Sequence, residues 1–271
     1  VTSTASASPV EIPSAGPRRV DDDGPGTRAS APAGEAGIVA PLGDARAALV
    51  VLSCVAAFGV LARVAGPAAH GLPVDRSTMR FLVAHRSGVG EAVAGLVSHL
   101  GDPAVLVVLA VAAGAALRRW AGWVGRMGPA LPLVALLAAA ATETVLKRVI
   151  DRPRPPVALH LLHETDPSFP SGHTTGTAAL VTVLLLLVLP ALTGRGRAVV
   201  VLTGEATIGA VGLSRMVLGV HWASDVVAGW LLGSAWAIAV VVTASLIEER
   251  RHPVLRLRPG GPARTSSVGG G

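Results

Sequence analysis

Three short stretches hold the residue types from which a site for phosphoryl chemistry can be built. They are residues 147–155 (KRVIDRPRP), 170–173 (PSGH) and 214–225 (SRMVLGVHWASD). Between them they carry Lys147, Arg154, Arg215, His173, His221 and Asp225. Fixed cations suit the oxygens of a phosphoryl group. Two imidazoles can supply a nucleophile and a general acid. Asp225 follows His221 by four residues, so on a helix the two share a face and the carboxylate can set the imidazole tautomer. Ser171 and Gly172 open an apolar run, where the unpaired N–H groups of a helix start face an anion naturally. Gly172 allows close backbone approach and Ser171 adds a hydroxyl donor. Arg154 lies between two prolines, which restrict where its guanidinium points. Taken singly, each feature has a plainer reading: an Arg snorkelling at the end of an apolar run, an ordinary Pro-Ser helix start, a surface His with a local carboxylate. It is their joint occurrence that argues for a site.

The elements that must position these residues are apolar. The chain has 271 residues, 51% hydrophobic and 15% charged, with mean hydropathy +0.59. A soluble domain carries about 25% charged residues, so the composition is that of a membrane protein. Net charge is +6, but the arginines fall in short connections and tails between apolar runs, which membrane topology explains better than nucleic-acid binding. The single cysteine, Cys54, excludes an intrachain disulfide and gives no sign of structural zinc.

Six runs are long and apolar enough to cross a bilayer, which takes roughly 20 residues each. They are 47–62 (extending to 69 if Arg63 snorkels), 92–117 (interrupted by His99 and Asp102-Pro103), 127–146, 174–194, 198–214 and 226–247. The expected fold is all-α: a six-span bundle over 45–247, with the three motif stretches joining its later spans. Residues 1–44 and 248–271 are expected to be disordered tails, the second of them basic. Arg118, Arg119, Arg126, Arg195, Arg197, Arg250, Arg251, Arg256 and Arg258 fall on one side of six spans, together with Arg18, Arg19, Arg28 and Arg46. That side, with both termini, is expected to be cytoplasmic and the motif stretches external. Residues 74–86 show apolar positions at helical spacing and are expected to lie along the membrane interface.

The three stretches together resemble the signature of the type 2 phosphatidic acid phosphatase superfamily, which includes membrane lipid phosphatases and soluble vanadium haloperoxidases. Lys147-x6-Arg154-Pro155, then Pro170-Ser171-Gly172-His173, then Ser214-Arg215-x3-Gly219-x-His221-x3-Asp225 match it in order. The resemblance covers roughly 45–247. It implies a phosphatase core built from the later spans, with Lys147, Arg154, Ser171, Gly172 and Arg215 binding phosphate. It further implies that His221 is the nucleophile forming a phosphohistidine, that Asp225 holds its other nitrogen and that His173 protonates the departing oxygen. The implied enzyme hydrolyses a lipid phosphate or diphosphate at the external face of the plasma membrane, its substrate's tail remaining in the bilayer. Isoprenoid diphosphate such as undecaprenyl diphosphate is favoured over phosphatidylglycerophosphate and phosphatidic acid.

No cofactor or metal is expected, since the acidic residues do not cluster as a two-metal site needs. Arg148 and Arg152 read as span-end cations, and His70, His85, His99, His160 and His163 as loop or interface residues. Glu143, four residues before Lys147, either steadies it or simply reaches the interface beside it. Glu205, inside a span, has no partner legible in sequence. Two rivals stand against the phosphatase: a vanadate-dependent haloperoxidase, whose polar surface six apolar spans contradict, and a non-catalytic lipid-binding or transport protein, which needs no complete acid, nucleophile and orienting set.

Overall fold

The computed structural model describes residues 44–119 and 126–251. The tails expected over 1–44 and 248–271 lie outside the described residues except at their inner ends, where residue 44 and residues 248–251 are helical rather than disordered. Among those described the only regular structure is helical. The helices are α1 (Asp44–Ala65), α2 (Pro73–Ala84), α3 (Gly88–His99), α4 (Pro103–Arg118), α5 (Leu131–Ile150), α6 (Gly172–Val188), α7 (Gly194–Val217) and α8 (Ala223–Arg251). Five of the described helices, α1 and α5–α8, are long and apolar enough to cross a membrane, and α3 with α4, bent by 51°, brings the number to six where the pair is counted as one broken span. The bend falls where the sequence breaks the run. Pro103 lacks the N–H that would continue α3, and it is placed where proline is tolerated, at the first position of α4.

Local chemistry sets the other ends. Ser87 caps α3 by accepting from the Gly90 N–H at 3.2 Å. Asp151 closes α5 in the left-handed region, φ 46°, and Pro153, Pro155 and Pro156 then keep the chain out of helix up to residue 156.

Helix α6 is the centre of the bundle. It packs against α5, α7 and α8, with its small residues Thr174, Thr175, Ala178 and Ala179 fully buried. Gly229 and Gly233 of α8, four residues apart, let the two backbones meet: a Cβ at Gly229 would stand 2.7 Å from the Ser171 carbonyl oxygen. Small residues at this spacing drive close helix approach in lipid, where burial of apolar surface gives no separate force. At one end of the bundle Leu117, Leu131, Leu187, Val241 and Ala244 form a core. At the other end Ala65, Phe169 and Ala228 join α1 to the start of α8. Asp44 and Arg251 are therefore at one end, and the 151–171 connection with the first turn of α8 at the other. Leu49, Leu52, Val60 and Val108 point outward, as lipid-facing positions do.

Two expectations change in detail. Lys147 and Arg215 are not on connections; each sits in the last turn of its helix, α5 and α7. Helix α2, expected to lie flat on the interface, presents Val74 and Phe81 outward but buries Asp75 and Met79 against the bundle.

Candidate active site

The site is built where four helix ends meet. The last turn of α5 supplies Lys147, the connection after it Arg154, the first turn of α6 His173, and the last turn of α7 Arg215. After α7, Gly219 takes φ +77°, a conformation glycine adopts without strain, and the chain turns back to present His221 just ahead of α8. Asp225 lies in the first turn of α8 and caps it, its Oδ2 accepting from the Trp222 N–H at 2.8 Å.

His221 is buried, and its two nitrogens face different surroundings. Nε2 is 3.1 Å from Arg154 Nη1 and so points into the cations. Nδ1 is 3.4 Å from Asp225 Oδ2, a contact rather than a well-aligned hydrogen bond. Catalytic hydrogen bonds are often long before the reacting complex forms. Burial, followed by the charges of Arg154, Arg215 and Lys147, lowers the His221 pKa well below 6.5. The imidazole is therefore neutral at physiological pH, with a lone pair to offer.

Asp225 does not serve His221 alone. Its Oδ1 is ion-paired with Arg152 Nη1. Arg152 Nη2 reaches Asp75 Oδ2 at 2.8 Å, and Asp75 also accepts from the Ser224 N–H (2.9 Å) and Oγ (2.8 Å). None of the three charged side chains is exposed. Phe169 and Trp222 stand over the guanidinium, each ring centre 5.9 Å from it. The span-end reading of Arg152 is thus wrong. It is a fully buried cation under the site, two residues from Arg154, which faces the other way. Burial alone would raise the Asp75 pKa, but the bonds from Leu72 and Ser224 and the Arg152 guanidinium outweigh it and hold the carboxyl below 3.8.

His173 has a partner that the motif does not contain. Its Nε2 is 3.0 Å from Asp102 Oδ1, at the break between α3 and α4, and 3.4 Å from Arg215 Nη1. Asp102 Oδ2 also meets the exposed His99 Nδ1 at 2.7 Å. The interruption of the second span is therefore what carries a carboxylate to His173. Ser98 Oγ accepts from Arg215 Nη1 at 2.8 Å, so α3 itself contributes to the site as well as the break that follows it.

The three cations are each held by carboxylates. Lys147 Nζ is 2.9 Å from Glu143 Oε1, so Glu143 does engage Lys147. Lys147 also pairs with Asp166 Oδ2. Arg154 Nη2 is 2.6 Å from Asp166 Oδ1 and 3.6 Å from Glu164 Oε2. Arg215 Nη2 pairs with Glu164 Oε1. Burial alone would raise the Asp166 pKa, but Lys147 and Arg154 hold it below 3.8. Ser171 is buried, with its Oγ taking a hydrogen bond from Thr174 Oγ1 at 3.1 Å. Gly172 faces Glu143, where a Cβ would stand 2.8 Å from Oε1. Among the described residues no three His, Cys, Asp or Glu side chains converge as metal ligands.

Comparison with known proteins places the chain in a family. The family model "PAP2 superfamily" matches residues 129–247. Phosphatidylglycerophosphatase B of Bacillus subtilis (strain 168) is 34% identical over 148 residues, a match that takes in 51% of this chain and 66%, just under two thirds, of that protein. The crystal structure of a transmembrane PAP2 type phosphatidylglycerolphosphate phosphatase from Bacillus subtilis superposes with TM-score 0.62 at 28% identity, over 77% of this chain and 98% of that one. Aquifex aeolicus LpxE shares the fold, with TM-score 0.50 at 20% identity over 63% of this chain and 96% of that one. The three motif parts, the helix ends that gather them and these likenesses lead to one conclusion: the chain is a membrane-spanning member of the PAP2 phosphatase superfamily.

Proposed function

We propose that the protein hydrolyses a lipid phosphate or diphosphate through a phosphohistidine on His221, at the external face of the plasma membrane. The observation that carries this reading is the direction of His221: a neutral imidazole whose Nε2 opens onto Arg154 among three fixed cations. The Nε2 lone pair attacks phosphorus and the bond to the lipid oxygen breaks. That oxygen takes its proton from His173. A water then attacks the phosphohistidine, the N–P bond breaks, and His173 recovers a proton from the water. Lys147, Arg154 and Arg215 offset the charge on the transferring group throughout, a contribution that rivals the acid in such reactions. Asp225 holds the Nδ1 side of His221, and Arg152 fixes Asp225.

The outward orientation rests on the arginines. Arg118, Arg119, Arg126, Arg195, Arg197, Arg250 and Arg251 lie in or beside the terminal turns of helices at the face opposite the site, which the positive-inside rule reads as cytoplasmic; Lys147, Arg148, Arg152 and Arg154 run against the rule, and the site accounts for them. The names given to the Bacillus subtilis matches put phosphatidylglycerophosphate first among candidate substrates, ahead of the isoprenoid diphosphate favoured from the sequence. The test is phosphate release by the purified protein from phosphatidylglycerophosphate, phosphatidic acid and undecaprenyl diphosphate. Turnover of at least one, fastest on phosphatidylglycerophosphate, is expected. No release from any of the three would reject the phosphatase reading. A reporter fused at His163 that reports cytoplasm would reject the orientation.

A further inference from the structure

The 151–171 connection carries two carboxylates that the mechanism does not use, and between them they occupy all three cations. Glu164 bridges Arg215 and Arg154, and Asp166 bridges Arg154 and Lys147. With Glu143 on Lys147, three negative charges stand against three positive ones. A phosphate cannot reach those cations while both acidic side chains stay on them.

We propose that Glu164 and Asp166 are specificity-determining residues: they compete for the cation cluster, and only a phosphate group carrying two charges and three free oxygens displaces both. The inference takes from the phosphatase reading the identity of the incoming anion. A terminal phosphoryl group exchanges for two carboxylates without changing the charge of the site, and its three oxygens can meet Lys147, Arg154 and Arg215 together. A phosphodiester headgroup has one charge and two free oxygens. It leaves one cation unmatched once both carboxylates have gone. The bilayer around the site is made largely of such diesters, and a bare cluster of three cations would take them up. The acidic pair removes that competition.

The pair is placed to move without unfolding its connection. The Asp166 side chain is 48% exposed and that of Glu164 23%, against none for the Asp75 and Asp225 carboxylates beneath. The main chain is anchored separately. Arg154 Nε donates to the Asp166 carbonyl at 2.7 Å, the Leu161 N–H to the Leu218 carbonyl at 2.9 Å and the Ser168 N–H to the Arg152 carbonyl at 2.8 Å. Arg86 Nη2 donates to the Leu159 carbonyl at 2.9 Å. The side chains can swing out while these bonds persist.

The test measures binding, not turnover, on the full chain in detergent micelles. Inorganic phosphate and phosphatidylglycerol are titrated calorimetrically into the wild type, E164Q, D166N and the double variant. Each single substitution removes one charge-assisted competitor and should tighten phosphate binding by about tenfold. The double variant should bind phosphatidylglycerol, which the wild type refuses. Phosphate binding that is unchanged or weaker in the variants would overturn the proposal. A wild-type measurement covers the case in which the variants misfold. Carbodiimide coupling of Glu164 and Asp166 to an amine, mapped by mass spectrometry, should rise when vanadate saturates the site, because the carboxylates are released to solvent. Labelling that stays level or falls would also overturn it. Absence of turnover on every lipid, with these binding results intact, would count against the phosphatase reading alone.

Discussion

Replacing Arg152 by Leu should cost the protein both its stability and its activity, although Arg152 touches none of the reacting atoms. Its guanidinium is the cation between Asp75 and Asp225, and all three side chains are excluded from solvent. Removing it leaves two carboxylates buried close together, with only Ser224 and the Trp222 and Leu72 N–H groups to hold them. Breaking a buried pair by deleting one partner costs about 3–5 kcal/mol. For a chain of this size each kcal/mol moves Tm by about 2–4 °C, so R152L should melt about 10 °C lower in detergent. Turnover should fall with it, because Asp225 loses the contact that fixes it under His221. Arg148, exposed on α5, is the control, and R148L should melt within about 1 °C of the wild type. Adding D75N to R152L should give back part of the loss, since one of the two stranded charges goes with it. The assay is a melting curve on each purified variant with phosphate release measured beside it. R152L melting within about 2 °C of wild type, with its kcat intact, would refute the argument.

Other consequences follow from the same geometry. The folded pKa of His221 lies well below 6.5, so between that value and 6.5 the unfolded chain takes up a proton that the folded chain refuses. Stability should be full above about pH 6.5 and fall as pH drops below it; H221Q should lose less Tm than wild type over that window, and an equal loss would show that His221 does not titrate this way. The carboxyls of Asp75 and Asp166 are held below 3.8, so their contribution is present above that pH and lost only at stronger acidity. If His173 protonates the leaving oxygen, H173A should slow lipid esters by roughly 10²–10⁴ yet spare a nitrophenyl phosphate, whose leaving group departs without a proton; equal losses on both would remove that role. Activity should persist in excess EDTA and be blocked by vanadate, whereas loss in EDTA restored by Mg²⁺ would mean that the cations do not replace a metal.

The features legible in sequence are those that repeat along the chain or lie close together in it. Apolar runs of bilayer length mark the spans, and the break at Asp102-Pro103 falls where α3 ends. His173, His221, Arg154 and Arg215 come together, as their joint occurrence and the family resemblance imply. What stayed hidden is pairing across long separations. Arg152 and Arg154 look equivalent in RPRP, and only the packing of α2 beneath the site, through Asp75, tells them apart. A signal was present: Asp75 and Met79 lie four residues apart on one face of an amphipathic helix, and a carboxylate on a buried face requires a cation. Asp102 was legible as a helix stop but not as the neighbour of His173, 71 residues on. Glu164 and Asp166 lie in a connection with no periodicity, so nothing in their spacing shows which cations they reach. The Asp225–His221 pair was legible as i,i+4. That Asp225 is shared with Arg152 and Trp222 was not, because the second acceptor site of a carboxylate leaves no mark on sequence.

If His221 Nε2 takes the phosphoryl group, the enzyme carries that group covalently during turnover. The direct measurement is rapid mixing of the enzyme with lipid phosphate labelled on the transferring phosphorus. The reaction is quenched within milliseconds into alkaline denaturant, which preserves phosphohistidine, and the labelled peptide is mapped. Label is expected on His221 in the wild type, more of it in D225N if breakdown slows more than formation, and none in H221A. Label on His173, or steady hydrolysis by H221A, would contradict this expectation.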